Sequence, residues 1–445
     1  MIYTSGTTGF PKGVMISHDN VCWIARTMIN ELNLQVGKER LVSYLPLSHI
    51  AAQDLDLYLP LFIAAHVTFA RPDALKGSLK NTLLICRPTI FFGVPRVWEK
   101  FREGMLLKGK SNSWLKKRVA KIAKKIGTKA TRAKELKEDM PFMYNLANKK
   151  VFSKVKEALG LDECKLFFTG AAPIPDFVLD YFSSLDIQIM NLYGASECTG
   201  PATFNKVDKF RMYVYVPVSK TEFKSRMSCG RAFKGEELKL SDVDIHENGE
   251  IIWKGRHVFM GYINKREATC DVFDSNGFYH SGDKGYLNMN GFLSITGRFK
   301  EILITKGGEN VAPVFIEDNI KRELPDIVSN VVVIGDEQKY LTCLITLKTV
   351  VKDDVVTRKL DPEIVKLIKY ETTQEATKSS TLLMIIDDGI KRANEKAISA
   401  AQRVKKFRIL LDDFTVDTNE LTSTLKLKRS VIVDNNKKCI DDMYK

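Results

Sequence analysis

The sequence lacks the marks of a zinc protein, of a secreted protein and of a membrane-spanning protein. Its eight cysteines are scattered, with no Cys-x-x-Cys pair and no nearby His-x-x-x-His pair that would complete a zinc site. The first residues, MIYTSGTTG, have neither the basic nor the apolar segment of a secretory signal. The longest apolar stretch, Leu57 to Ala70, is interrupted by Pro60 and His66 and is shorter than the about 20 residues that a spanning helix needs. We therefore expect a cytoplasmic protein with free thiols, in which this stretch belongs to a core.

Low-complexity segments and internal repeats are also absent, and acidic residues are in deficit. The 445 residues are 44% hydrophobic and 27% charged, a composition typical of a folded protein with more than one domain. Lys and Arg exceed Asp and Glu, 68 to 54, which gives a net charge of +14 and favours anionic partners. Because no aromatic–basic RNA motif or recognition helix accompanies this charge, we expect no nucleic-acid partner.

The pattern of apolar residues predicts two regions of mixed helix and strand. From about residue 161 to 296, short β-branched or aromatic runs alternate with helical stretches, as in KLFFTG, PDFVLDYFSSL and IQIMNLYG, which predicts an α/β sheet with crossover helices. Beyond Gly297 the pattern restarts with EILIT, a helix around Pro313 to Leu324, and the strands VSNVVVIGD and KYLTCLITL, which indicates a smaller α+β domain. A long helical passage is predicted from Asp361 to Arg408.

Residues 99–138 form a lysine-rich stretch in which Leu115, Val119, Ile122 and Ile126 recur at helical spacing. Two interpretations remain open. The first is a surface helix that packs on the sheet through its apolar face and leaves its charged face in solvent. The second is contact with an anionic membrane surface or with the phosphates of a coenzyme.

A glycine- and threonine-rich segment, YTSGTTGFPKGV, runs from Tyr3 to Val14. Glycines let backbone N–H groups turn toward an anion, and hydroxyl groups add donors without bulk. The segment is not a Walker A sequence, because Lys12 is followed by Gly13 rather than by Ser or Thr. It therefore predicts a polyphosphate site and argues against a plain P-loop NTPase.

This segment resembles the phosphate loop of the adenylate-forming, or AMP-binding, enzymes, a superfamily of acyl-CoA synthetases, luciferases and peptide-synthetase adenylation domains. Four later segments resemble the family's other motifs in order: GAAP at 170–173, NLYGASE at 191–197, HSGD at 280–283 and GRFKEILITKGGEN at 297–310. Within the family, PLSHIAAQ (46–53), GVPRVWEK (93–100) and TLKLKR (424–429) most resemble the bubblegum-type long-chain and very-long-chain fatty acyl-CoA synthetases.

The resemblance implies a large N-terminal α/β domain, residues 1–299, and a smaller, mobile α+β C-terminal domain, residues 300–445. The sequence begins almost inside the phosphate loop, so the start of the large domain found in such synthetases is missing from it. We therefore expect the chain that starts at Met1 to fold poorly or to be inactive, because its first sheet would lack neighbouring strands.

The resemblance assigns the phosphates of ATP and a magnesium ion to two segments. Glu197, which follows Tyr193 and Gly194, would ligate Mg²⁺, a hard cation that prefers carboxylate and phosphate oxygens. The cations and donors near it would stabilise the charge that shifts as the α-phosphate is attacked. The β- and γ-phosphates would be held by Thr4, Ser5, Gly6, Thr7, Thr8, Gly9 and Lys12.

The resemblance also assigns the nucleoside. Tyr193 would stack on the adenine, although a buried core tyrosine is the alternative. Asp283 would accept hydrogen bonds from the ribose hydroxyls, or else would only form a turn after Gly282. Arg298 would reach the ribose or a phosphate, and Lys300 would lie at the hinge between the domains. Further nucleotide contacts would come from Gly170, Ala171, Ala172, Asn191, Gly194 and Ser196.

Lys426 matches the lysine that the small domain brings to the attacking carboxylate and the α-phosphate. Most relatives carry glycine before this lysine, whereas this chain has Leu425. Its neighbours Lys428 and Arg429 are expected to be exposed cations. His49 is either a residue near the acyl carboxylate or a core histidine with satisfied hydrogen bonds. The turn of Gly307, Gly308 and Glu309 would line a coenzyme A channel after the small domain rotates.

Together these assignments imply an ATP-dependent long-chain fatty acyl-CoA synthetase that uses Mg²⁺ and coenzyme A. Fatty acid and ATP would give acyl-AMP and pyrophosphate, and the thiol of coenzyme A would then displace AMP. The alternative is a catalytically dead protein that binds an acyl group or a nucleotide. We also expect that the protein can contact an anionic membrane peripherally, on the endoplasmic reticulum or on another membrane.

Overall fold

The structure is a computed structural model that describes residues 1–4, 11–136, 138–205, 228–241, 249–288, 291–352, 355–397, 399–422 and 424–445. The chain divides into two compact units. Of the described residues, unit 1 contains 1–4, 11–281 and 285–295, and unit 2 contains 282–284 and 296–445. The domain boundary between residues 299 and 300 remains a prediction.

Unit 1 is built on a five-stranded sheet of order β5-β6-β7-β8-β9. Its first three strands are parallel, and its last two run antiparallel to their neighbours. The strands up to residue 298 are β1 (Ile2–Tyr3), β2 (Gly13–Met15), β3 (Arg40–Ser43), β4 (His66–Phe69), β5 (Ile90–Phe92), β6 (Leu166–Thr169), β7 (Ile189–Ala195), β8 (Gly200–Phe204), β9 (Arg231–Ala232), β10 (Glu237–Ser241), β11 (Gly249–Lys254), β12 (Gly261–Tyr262), β13 (Tyr279–Leu287) and β14 (Leu293–Arg298).

The central strands carry apolar residues on both faces, as expected for parallel strands between helices. Smaller sheets have the orders β3-β4, β1-β2-β12 and β10-β11-β13-β14. The helices up to residue 270 are α1 (His18–Leu32), α2 (Ile50–Gln53), α3 (Leu59–Ile63), α4 (Leu79–Cys86), α5 (Pro95–Lys110), α6 (Trp114–Leu136), α7 (Tyr144–Ala147), α8 (Ser153–Leu159), α9 (Asp176–Ser183) and α10 (Arg266–Cys270). The α/β class expected from the sequence is confirmed.

The lysine-rich stretch forms α5 and α6, which are separate helices. The apolar residues that the spacing places on the packing face are only partly buried there. Leu115, Val119 and Ile122 are at least half exposed, and only Ile126 packs against a buried cluster. Helix α6 instead packs through small residues, because a Cβ on Gly127 would lie 2.1 Å from the Ser184 carbonyl oxygen. The predicted apolar packing face is therefore wrong for the first half of α6.

Unit 2 has a three-stranded sheet of order β17-β18-β21, in which β17 and β18 are antiparallel and β21 joins β18 in parallel. The strands from residue 303 onward are β15 (Leu303–Ile304), β16 (Asn310–Val311), β17 (Val328–Ile334), β18 (Leu341–Leu347), β19 (Thr349–Lys352), β20 (Val355–Leu360) and β21 (Val404–Ile409). Its helices are α11 (Pro313–Glu323), α12 (Pro362–Ile368), α13 (Thr373–Ala376), α14 (Ser380–Asn394), α15 (Arg429–Asn435) and α16 (Lys437–Tyr444).

The predicted helical passage over residues 361–408 is wrong at its end. The segment contains three helices, α12 to α14, and ends in strand β21. The break after α12 lies at Lys369, whose φ of 61° cannot continue a helix, and Thr372 then caps the next helix. The strand forms because Val404 and Ile409 are buried in the core and the backbone pairs with β18. Tertiary pairing therefore overrides a helix-compatible composition here.

None of the helices in the described ranges is both long enough and apolar enough to cross a membrane.

Candidate active site

The base of the phosphate loop is held by hydrogen bonds between its two ends. The Thr4 N–H donates to the Lys12 carbonyl oxygen at 3.0 Å, and the Lys12 N–H donates to Thr4 Oγ1 at 3.3 Å. Strands β1 and β2 continue this pairing on either side. The loop tip, which includes Ser5, Gly6, Thr7, Thr8 and Gly9, lies outside the described residues. Thr4 and Lys12 therefore close a loop whose contacts with phosphate remain a prediction.

Lys12 and Glu197 are connected through a residue that the sequence did not single out. Lys12 Nζ lies 4.7 Å from the ring centroid of Tyr262, and the Tyr262 hydroxyl donates to Glu197 Oε1 at 2.9 Å. Tyr262 belongs to β12, which pairs with β2 directly after the loop. Glu197 is fixed further because its carbonyl oxygen accepts the Phe259 N–H at 2.8 Å. The fold thus joins the predicted phosphate lysine to the predicted metal ligand.

Sequence reasoning missed Tyr262 because no motif surrounds it. Its one local signal is Gly261, whose φ is 133° and whose Cβ would lie 2.7 Å from Thr269 Cγ2. A glycine required at that position fixes the backbone just before the tyrosine.

The predicted adenine wall follows the carboxyl end of the parallel strand β6, the edge where ligands bind in α/β sheets. A Cβ on Gly170 would lie 3.0 Å from the Leu192 carbonyl oxygen, so the two strands approach closely there. Ala171 has a φ of 67°, which is uncommon for a residue with a side chain and is found at functional sites. Ala172 is half-buried beside them.

The segment of β7 that carries the remaining residues predicted to contact the nucleotide is packed from both sides. Tyr193 is buried and its ring lies 6.0 Å from that of Trp253, tilted by 34°. The Asn191 N–H donates to Asn205 Oδ1. A Cβ on Gly194 would lie 1.8 Å from the Gly200 carbonyl oxygen, so only glycine fits. Ser196 begins a short 3₁₀ turn, Ser196–Cys198, that presents Glu197.

His49 caps the amino end of helix α2. Its Nδ1 accepts the Ala51 N–H at 3.2 Å, so the proton of the neutral ring is on Nε2. His49, Gly170, Ala171, Tyr193 and Gly194 line one cavity. Five residues predicted from separate motifs are therefore brought together within unit 1.

Unit 2 brings together three other predicted residues. Arg298 Nε donates to Asp283 Oδ1 at 2.7 Å, and Asp283 is buried. Burial lowers the pKa of Lys426, and the positive charge of Arg298 lowers it further, while Asp283 and Glu301 act in the opposite direction. Asp283 thus has a strong cationic partner in addition to any turn-forming role.

A short turn presents Lys426. The Lys426 N–H donates to Thr422 Oγ1 at 3.0 Å, and the Thr422 N–H donates to the Lys426 carbonyl oxygen at 2.8 Å. Leu425, inside this turn, has a φ of 63°, in the left-handed region that favours glycine. A glycine at this position, which the family resemblance implies, would suit the turn, and Leu425 adopts the same conformation at a cost of about 1–2 kcal/mol.

The expectation that Arg429 is an exposed cation is wrong. Its guanidinium donates to Glu317 Oε1 at 2.7 Å and to Oε2 at 3.1 Å, and its side chain is 17% exposed. The Val333 N–H also donates to Glu317 Oε1, at 2.7 Å. Arg429 is consequently a structural partner of a buried carboxylate, whereas Lys428 pairs with the amide of Asn419.

Gly307, Gly308 and Glu309 form the exposed tip of the β15–β16 hairpin. The Gly308 N–H donates to the Thr305 carbonyl oxygen at 2.8 Å, and its φ of 77° requires glycine. A role in binding coenzyme A remains a prediction.

The residues present fit a magnesium ion that is held mainly by its nucleotide. Within the described ranges, no group of three or more His, Cys, Asp or Glu side chains could hold a metal ion by itself. Mg²⁺ in nucleotide sites is typically bound by one or two carboxylates together with phosphate oxygens and water. A single carboxylate, Glu197, oriented by the Tyr262 hydroxyl, suits that type of site.

The fold is that of an adenylation enzyme. The adenylation domain of a carboxylate reductase from Mycobacterium chelonae is 22% identical, with a TM-score of 0.69 over 100% of this chain and 59% of that chain. The o-succinylbenzoate CoA synthetase of Bacillus subtilis, solved with its acyl-adenylate, is 20% identical, with a TM-score of 0.63 over 96% of this chain and 67% of that chain. These likenesses establish the fold.

The chain belongs to the AMP-binding enzyme family, which it matches over residues 1–263, and it matches the AMP-binding enzyme C-terminal domain over residues 300–445. It is 44% identical to the long-chain-fatty-acid–CoA ligase ACSBG2 of Xenopus laevis over 100% of this chain and 60% of that protein. It is 39% identical to the long-chain-fatty-acid–CoA ligase heimdall of Drosophila melanogaster, of which it covers 68%. The chain thus spans roughly three-fifths to two-thirds of the length of these relatives.

Proposed function

We propose that the protein is an ATP-dependent long-chain fatty acyl-CoA synthetase. It joins a fatty acid to the α-phosphate of ATP with release of pyrophosphate, and then transfers the acyl group to the thiol of coenzyme A with release of AMP. The names of the relatives that are 39–44% identical support this reaction.

The observation that carries the proposal is the connected set of Lys12, Tyr262 and Glu197. A cation at the base of the phosphate loop and a carboxylate suited to Mg²⁺ are held by the same tyrosine, at 4.7 Å and 2.9 Å. Such an arrangement suits a magnesium polyphosphate, because it supplies one cation for phosphate and one hard ligand for the metal. When bound, Mg²⁺ would neutralise part of the charge on the departing pyrophosphate.

The remaining residues have roles in the two steps. The cavity beside His49 would receive the carboxyl end of the fatty acid, and the Nε2–H of the neutral ring would donate to it. Lys426 would neutralise the charge shared by the carboxylate and the α-phosphate in the first step. The exposed hairpin tip of Gly307, Gly308 and Glu309 would contact coenzyme A in the second.

The test is pyrophosphate release by the protein in the presence and absence of each substrate. We expect release only when ATP, Mg²⁺ and a long-chain fatty acid are all present, and acyl-CoA formation only when coenzyme A is added. Release of inorganic phosphate without a fatty acid would identify a plain NTPase and contradict the proposal. Nucleotide binding without any turnover would favour the catalytically dead alternative.

We also propose a peripheral contact with an anionic membrane through the first half of α6. Trp114 and Leu115 are 67% and 66% exposed, and Val119 and Ile122 are half exposed beside lysines 117, 121 and 125, which are also exposed. Apolar side chains next to basic ones on a helix suit an anionic lipid surface, where each basic residue contributes about 1 kcal/mol. Lys124 is excluded from this group, because its Nζ lies 4.1 Å from the ring centroid of Tyr181.

Sedimentation with phosphatidylserine vesicles tests the membrane proposal. The triple variant of Lys117, Lys121 and Lys125 to Gln should lose salt-sensitive binding. The matched control removes three exposed lysines of unit 2, Lys369, Lys405 and Lys437, and should bind as the unmodified protein does. Equal losses in both variants would mean that only the net charge of the protein matters.

A further inference from the structure

One wall of the cavity described above carries a buried acid that the proposed reaction does not use. Asp54 lies on the π-helical turn Asp54–Tyr58, between helices α2 and α3. It lines the cavity together with His49, Gly170, Ala171 and the apolar residues Leu55 and Phe92. Single π-helical turns of this kind are rare and occur frequently at functional sites.

Asp54 is deeply buried without a partner. It is 2% exposed, and neither carboxyl oxygen has a hydrogen-bond partner in the part of the chain that the structure describes. Its carboxyl group lies against the backbone of Gly200, where a Cβ would come within 1.7 Å of Oδ2. The fold therefore provides space for this carboxyl group without giving it a hydrogen-bond partner among the described residues.

Such a group has a cost that packing alone does not explain. Burial without a compensating hydrogen bond is unfavourable for any polar group, and an apolar residue of similar size would avoid it. Burial raises the pKa of Asp54 well above its usual value, which favours the neutral carboxylic acid over the carboxylate. A neutral carboxylic acid can both donate and accept a hydrogen bond.

We propose that Asp54 is a specificity-determining residue whose carboxyl group hydrogen-bonds a hydroxyl group on the acyl chain, so that hydroxylated fatty acids are preferred to unsubstituted ones. The inference rests on the proposed function, because it takes the cavity as the acyl site. The hydroxyl group lies near the carboxyl end of the chain, since His49 and the predicted adenine wall line the same cavity.

The preference follows from the asymmetry of buried hydrogen bonds. A hydroxylated acid satisfies Asp54 when it enters the cavity, whereas an unsubstituted chain covers the carboxyl group and leaves it unpaired. Sites built to hydrogen-bond a substrate hydroxyl discriminate against the analogue that lacks it much more strongly than apolar pockets discriminate by size. We expect a difference of about tenfold or more in dissociation constant.

The experiment compares hexadecanoic acid with its α-hydroxy and β-hydroxy derivatives, by calorimetric binding and by acyl-CoA formation. The variants are Asp54→Asn, which keeps hydrogen-bonding capacity, and Asp54→Leu, which removes it. The control is Asp56→Asn on the same turn, which pairs with Ser43 and lies outside the cavity lining. Thermal unfolding of each variant separates loss of folding from loss of selectivity.

We expect the unmodified protein, Asp54→Asn and Asp56→Asn to prefer one hydroxylated acid, and Asp54→Leu to prefer the unsubstituted acid. Equal affinity of the unmodified protein for all three acids would overturn the inference and leave the proposed function intact. A preference that Asp54→Leu retains would also overturn it. If none of the acids binds or is activated, the proposed function fails together with the inference.

Discussion

Two buried carboxyl groups of unit 1 have different surroundings from two buried carboxyl groups of unit 2. In unit 1, the carboxyl oxygens of Asp54 and Glu236 have no hydrogen-bond partner among the described residues, and burial raises the pKa of both, that of Glu236 to about 9. His257 lies 3.4 Å from Glu236, and burial lowers the pKa of His257 to about 4. In unit 2, Glu317 and Asp283 are buried against arginine side chains, at 2.7 Å in each case.

The difference lies in the side chains that surround each of these four carboxyl groups. Unit 1 also buries Asp186 against Lys134 and Lys156, so the contrast applies to Asp54 and Glu236 and not to every acid of unit 1. In unit 2, Glu317 and Asp283 pair with Arg429 and Arg298, and Lys426 lies within the field of the second pair. The same substitution of a carboxyl by its amide should therefore have opposite effects on stability at Glu236 and at Glu317.

The largest expected effect is on the ion pair of unit 2. Replacing Glu317 by Gln leaves Arg429 without a counter-charge in a mostly buried position, and loss of one partner from such a pair costs about 3–5 kcal/mol. We expect urea denaturation to show that the free energy of unfolding of unit 2 falls by this amount. The double variant Glu317→Gln with Arg429→Met should recover part of it, and a double variant no more stable than the single one would argue against the pair.

The next effect concerns Lys426. We expect Lys426→Ala to reduce adenylate formation by a factor of about 10²–10³, the usual result of removing one preorganised donor from developing charge. Formation of the thioester from synthetic acyl-AMP and coenzyme A should barely change. Both steps are measured separately, by pyrophosphate release and by thioester formation.

The control for this prediction is Lys428→Ala, since Lys428 is a nearby lysine of the same segment that pairs locally with Asn419. It should leave both steps unchanged. A loss of thioester formation in Lys426→Ala as large as the loss of pyrophosphate release would show that Lys426 acts in both steps or on stability.

The carboxyl-to-amide change in unit 1 should be stabilising. The pKa of Glu236 rises from about 4.5 in the unfolded chain to about 9 in the fold, so its contribution is complete below about pH 4.5 and is lost as the pH rises toward about 9. Glu236→Gln removes this loss, and we expect it to stabilise unit 1 by about 1–3 kcal/mol at pH 7.

Chemical denaturation at several pH values measures this effect. The difference between Glu236→Gln and the unmodified protein should grow from pH 5 to pH 8. A variant that is less stable at every pH would mean that Glu236 is ionised in the fold.

The smallest effect is expected at Tyr262. Tyr262→Phe keeps the ring beside Lys12 but removes the hydroxyl that donates to Glu197, so we expect about a tenfold loss in kcat/KM. The concentration of Mg²⁺ that gives half-maximal activity should rise. Tyr3→Phe is the matched control, because Tyr3 lies in the same small sheet and is exposed. A change in activity without a change in magnesium dependence would argue against a role in orienting Glu197.

Much of the fold was predictable where local patterns were strong. Strands β6, β7, β17 and β18 and helices α9 and α11 lie where the sequence predicts them. The prediction failed at strand β21 and on the first half of α6, where the local pattern does not say which neighbour covers the apolar residues. Arg429 was misassigned for a related reason, since its partner Glu317 is distant in the sequence.

The sequence by itself determined the family, the order of the motifs and the identity of the candidate residues, because glycines, hydroxyls and single charged residues at fixed spacing depend on local chemistry. Tertiary structure alone decided which of them meet. Tyr262 reaches Glu197 because β12 pairs with β2, and Arg298 reaches Asp283 because both lie in one compact unit. It also decided which buried acids are paired, since long-range packing places Arg429 beside Glu317 but leaves the carboxyl oxygens of Asp54 without a hydrogen-bond partner among the described residues.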